Sequence, residues 1–69
     1  MKYTGIFIPA EEGGYYAYCA EVRGANTQGE TLAEAKVNLR EAIALILESN
    51  AKEELSHLPK SAKLAAVSV

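Results

Sequence analysis

Up to Glu30 the apolar positions tend to recur with the two-residue period of β-strands; beyond it they recur with the 3.6-residue period of a helix. From Lys2 to Pro9 the β-favouring Tyr3, Thr4, Ile6, Phe7 and Ile8 predict a strand. Thr4, Ile6 and Ile8 share one face; Tyr3, Gly5 and Phe7 share the other. Apolar groups on both faces imply a strand covered on both sides or packed against another subunit. Pro9 lacks an N–H and suits the strand's end. Glu11-Glu12-Gly13-Gly14 predicts a tight hairpin turn, since Gly-Gly supplies the positive φ angles such turns demand. Tyr15 to Cys19 forms the second strand. Tyr15, Ala17 and Cys19 lie on one face, where small side chains leave room for a helix, and Tyr16 and Tyr18 lie on the other. Ala20 to Gly24 breaks the alternation with a bend at Gly24, and Ala25 to Gln28 returns as a short third strand.

Gly29 releases the chain into Thr31-Leu32-Ala33-Glu34, which has the form of a capping box. The Thr31 hydroxyl accepts from the Glu34 N–H, and the Glu34 carboxylate reaches back to the Thr31 N–H. The predicted helix runs from about Leu32 to Ser49. Leu32, Ala35, Leu39, Ala42, Ile43, Ile46 and Leu47 make its apolar stripe. Ala33, Val37, Ala44 and Leu45 lie off that stripe, so the second half of the helix is apolar on nearly all sides. One small sheet covers only one face, and the surplus predicts a second packing surface, most simply another subunit. Ala51 to Leu58 either prolongs the helix or starts a second one, and Pro59 ends it. Lys63 to Val69 alternates and reads as a last strand. The predicted fold class is α+β, in the order β-β-β-α-β: a small, mostly antiparallel sheet on one long helix.

Composition narrows the function classes. Sixty-nine residues and 7.4 kDa hold a single domain, 1–69, with a thin core. Net charge is -2, with 7 basic and 9 acidic residues, which argues against a protein that tracks a nucleic-acid backbone. The single cysteine, Cys19, excludes an internal disulfide and a cysteine-rich zinc site. No apolar run approaches the roughly 20 residues of a membrane helix, and no export signal is evident, so a cytoplasmic setting is expected.

Catalytic constellations are not expected. All nine acidic residues are Glu, and they are scattered over turns and helix surface instead of converging as metal ligands. His57 neighbours Glu53 and Glu54 but has no nucleophile or oxyanion pocket nearby. Cys19 has no flanking base and reads as a small buried hydrophobe. The glycines lack the frames of phosphate-binding loops. Tyr3, Tyr15, Tyr16 and Tyr18 could stack on bases but lack basic neighbours, and tyrosine suits protein interfaces. No catalytic residue, metal ligand or cofactor is expected. Tyr16, Tyr18, Val37, Leu45 and Leu47 are the candidate interface residues, in a homo-oligomer that is a dimer or a tetramer.

The segments Glu11-Glu12-Gly13-Gly14-Tyr15, Glu21-Val22-Arg23-Gly24 and Thr27-Gln28-Gly29-Glu30-Thr31, followed by Glu34-Ala35, Asn38 and Glu41-Ala42-Ile43, resemble the N-terminal domain of the HicB antitoxin family. Its short stand-alone members are the nearest pattern. Ala20, Arg23 and Ala25 depart from that pattern, in which Pro, Pro and Cys are common. The resemblance makes Gly13, Gly14, Tyr15, Gly24, Gln28, Gly29, Thr31 and Glu34 the structural motif. It implies a degraded ribonuclease-H-like fold, self-association, and neutralisation by occlusion of a small HicA-like messenger-RNA-cleaving toxin. The DNA-binding domain that many members carry after this one has no counterpart in the sequence, so operon repression does not carry over. The alternatives are an orphan homo-oligomeric accessory or regulatory domain without a toxin, and a small metal-dependent nuclease using Glu and His57.

Overall fold

The computed structural model describes residues 2–68, which form three strands and one helix. Strands β1 (Gly5–Pro9), β2 (Tyr15–Cys19) and β3 (Asn26–Gly29) make an antiparallel meander in that order, and α1 (Leu32–Ser56) packs on it. This is a small α+β fold, as the pattern predicts. The β1–β2 hairpin turns at Gly13 and Gly14, whose φ angles of 103° and 77° suit glycine and strain other residues. The Gly13 N–H donates to the Ala10 carbonyl, and the Ala10 N–H to the Gly14 carbonyl, each at 3.0 Å.

Register decides which side chains meet the helix. Ile6 faces Tyr18 and Ile8 faces Tyr16 across β1 and β2, so alternation places these four on the outer face. The inner face offers Phe7, Tyr15, Ala17 and Cys19, against which α1 sets Ala35, Leu39, Ala42, Ile43 and Ile46. Val22 and Ala25, from the bend, complete the core. Small side chains let the two layers come close: a Cβ built on Gly29 would stand 2.5 Å from the Ala35 nitrogen.

The Thr31 hydroxyl caps α1 as read, accepting from the Glu34 N–H at 3.1 Å. The return half of the capping box differs. The Glu34 carboxylate accepts from the Glu30 N–H at 3.4 Å, not from Thr31, because the tight seating of Gly29 on Glu34 and Ala35 draws Glu30 within reach.

Four further expectations are corrected. β1 starts at Gly5, not Lys2, because Glu21 takes both the N–H and the hydroxyl of Thr4 at 2.7 Å. β3 is Asn26–Gly29; Ala25 instead belongs to the bend, where it donates to the Val22 carbonyl at 3.3 Å. The helix passes Ser49 without a break and ends at Ser56, which settles how Ala51 onward is used. Leu32 and Leu47, assigned to the core stripe, are 41% and 40% exposed, because a sheet of three strands covers a narrow strip of helix.

The last predicted strand is absent. Residues 63–68 carry no strand and are all exposed, and Val69 lies outside the described residues. The order is therefore β-β-β-α. Two causes are visible. Ala65 and Ala66 contribute little β preference or burial. In addition, α1 continues ten residues beyond Ile46, the last helical residue in the core, and so carries the tail about 15 Å past the sheet.

Candidate interaction surfaces

Alternation along β1 and β2 builds the first surface. Ile8, Tyr16 and Tyr18 are exposed, with Ile6 half-buried beside them, on the sheet face that the helix leaves free. Tyr16 is tied down: its hydroxyl donates to the Glu12 carboxylate at 2.7 Å. That bond lowers the Glu12 pKa and raises that of Tyr16, since it favours the charged acid and the protonated phenol.

The second surface is the side of α1 turned from the sheet. Val37, Leu45 and Leu55 are more than half exposed there, with Leu47 and Leu58 less so. Arg40, Ala44 and Leu47 line a hollow of about 500 Å³ with Tyr3 and Ile43. All five candidate interface residues, Tyr16, Tyr18, Val37, Leu45 and Leu47, are thus exposed, but on two layers rather than on one patch. The candidate interface residues omit Ile8, Leu55 and Leu58, although the two apolar faces of the first strand already imply an outer contact at Ile8. Ile8 shares a strand face with Ile6, which was the available signal; the two leucines became legible only once the helix was seen to continue.

A polar groove of about 670 Å³ runs between the β1–β2 turn and the start of α1. Gly13, Gly14, Tyr15, Gln28, Gly29 and Glu34 of the sequence motif line it, so the structure brings these six together. Asn38 closes one side, its side-chain amide donating to the Gln28 carbonyl at 2.8 Å. Thr31 caps the adjoining helix, and Gly24 lies apart, at φ 90° in the bend before β3. The motif therefore has a local structural explanation in turn, cap and close approach.

The other titratable groups stay apart. Glu21 binds Thr4 and also accepts from the Cys19 thiol at 3.5 Å; the bonds from Thr4, hydroxyl first, hold its pKa below the usual carboxylate value. Cys19 is buried, as read. His57 lies 3.9 Å from Glu53 on the exposed end of the helix. No cluster of three His, Cys, Asp or Glu able to hold a metal occurs among the described residues, and none of the helices there is long and apolar enough to cross a membrane.

These features define a class: a small α+β domain, an antiparallel meander on one long helix, with apolar surface on both layers. A UPF0150 protein of Synechocystis is 49% identical over 59 residues, 86% of this chain and 82% of the relative. A second from the same organism is 43% identical over 48 residues, 70% of this chain and 61% of the relative. One from Thermoplasma acidophilum is 43% identical over 49 residues, 71% of each chain. The chain belongs to the UPF0150 family. No family model matches it.

This corrects the resemblance to HicB. The relatives are UPF0150 proteins, none is named as an antitoxin, and no model ties the chain to HicB. Toxin neutralisation by occlusion rested on that resemblance and falls with it.

Proposed function

We propose that this domain works without catalysis, by assembling with copies of itself through its apolar surfaces. One observation carries the reading. A monomer of 7.4 kDa has about 4,200 Å² of accessible surface by the scaling rule, whereas this chain has 5960 Å². The excess, about 1,750 Å² per chain, is of the size that obligate homodimers bury. The radius of gyration agrees in direction, 15.7 Å against about 11 Å for a compact chain of this length. The overhanging helix and tail supply much of the excess. A lone buried thiol suits a reducing, cytoplasmic setting.

Light scattering on the full chain eluting from a sizing column tests the reading. A mass of twice 7.4 kDa or a higher multiple is expected. A monomer mass at every concentration up to solubility would overturn it.

A further inference from the structure

The exposed side of α1 holds a pattern that the core does not use. From Val37, alternating steps of three and four residues reach Arg40, Ala44, Leu47, Ala51, Glu54 and Leu58. This is the spacing of a coiled-coil seam. Every one of these side chains is exposed, and none belongs to the core. All lie in α1 except Leu58, which directly follows the C-cap His57.

We propose that this seam pairs two copies of α1 antiparallel about a two-fold axis at Leu47, which deepens the self-association reading and rests on it. Charge fixes the direction. A parallel, in-register pair would set Arg40 against Arg40 and Glu54 against Glu54. In the antiparallel pair centred on Leu47, Arg40 meets Glu54 of the second copy, and the two-fold axis makes that contact twice.

The other positions fall within one residue of the same centre. Leu47 meets itself, Val37 stands level with His57 of the second copy and beside Leu58, and Ala44 stands level with Asn50 and beside Ala51, an offset of about 1.5 Å along the axis. The alanines flank the axis and let the helices approach closely, about 8 Å between axes. Arg40, Ala44 and Leu47 already border the hollow beside Tyr3, which gives an incoming side chain a place to sit. The pairing also covers the part of α1 beyond Ile46, which its own sheet leaves bare. Leu45 lies outside this seam, about 200° around the helix from Leu47.

Sedimentation equilibrium on the full chain and four variants tests the pairing, with far-UV circular dichroism confirming the fold of each. Arg40→Glu and Glu54→Arg, each setting like charges together twice, are expected to weaken dimerisation roughly 10-fold or more. The double exchange restores it to within about 3-fold of wild type, because the pair is re-formed in reverse. Leu45→Lys, off the seam, leaves the dimer intact. An oligomer in which the double exchange is no better than the singles would overturn the seam while self-association stood. A wild-type chain that stays monomeric would overturn both.

Discussion

Alanine at position 29 is a sharp test of how closely helix and sheet are seated. Two opposed effects meet there. Replacing glycine where its conformation is unremarkable stabilises by about 0.4–1 kcal/mol, because the unfolded chain loses freedom. Gly29 qualifies on that count, since the positive-φ glycines are Gly13, Gly14 and Gly24. Against this, the new methyl would lie 2.5 Å from the Ala35 nitrogen, 2.8 Å from its Cα and 3.0 Å from the Glu34 carbonyl carbon. These are backbone atoms of the first helical turn, which cannot swing aside as a side chain would. The turn must retreat by roughly 1 Å to regain ordinary contact. Overpacking of this kind costs about 1–3 kcal/mol, and the immobility of the backbone puts it at the upper end, which leaves a net loss of about 2–2.5 kcal/mol after the gain above. A chain of this length has about 3–10 kcal/mol in total, from 0.05–0.15 kcal/mol per residue, so the variant sits near the edge of folding. Urea unfolding followed by circular dichroism reads the change, with protein concentration held fixed because the proposed self-association would make apparent stability depend on it. The melting temperature should fall by about 10–20 °C. A Gly29→Ala chain as stable as wild type, or more so, would refute the close seating.

Three further outcomes follow from local bonds. Thr31→Ala removes the acceptor for the Glu34 N–H and should cost about 1 kcal/mol, read as a lower urea midpoint with unchanged slope. Glu12 and Glu21 have lowered pKa values in the folded chain, so their contribution is present above the unfolded carboxylate value and is lost as pH falls through the folded ones. Urea midpoints should therefore drop on acidification below the ordinary carboxylate range, and Glu21→Gln should reduce that dependence; an unchanged acid limb in the variant would count against the Thr4 bonds. Tyr16, raised by Glu12, acts at the other end: its bond favours the fold below the usual phenol value and is lost as pH climbs through the raised one.

Local chemistry made much of the fold legible. Gly13-Gly14 demanded a turn, the alternation of Tyr15 to Cys19 separated an inner from an outer face, and Thr31 marked the helix start. Each of these depends on neighbours within a few residues. The tail failed for the opposite reason. A strand needs an edge to pair with, and alternation from Lys63 onward carries no information about where the end of α1 leaves the chain. Leu32 and Leu47 fitted the helical period, but period alone does not report the width of the sheet beneath. The surfaces were partly legible: Tyr16 and Tyr18 stood out by type, whereas the arrangement of Arg40 and Glu54 acquires meaning only once α1 is one unbroken helix.

Every side chain packed into the core lies between Tyr3 and Ile46. Because a chain is made from its amino end, and domains fold as units while synthesis proceeds, that core can close before the final third of the molecule has emerged. The nascent domain then acquires its overhang as an addition to a finished body. Two steps that equilibrium measurements merge are thereby ordered in time, with the core closed first and Leu47, Ala51, Glu54 and Leu58, the far half of the proposed seam, supplied last.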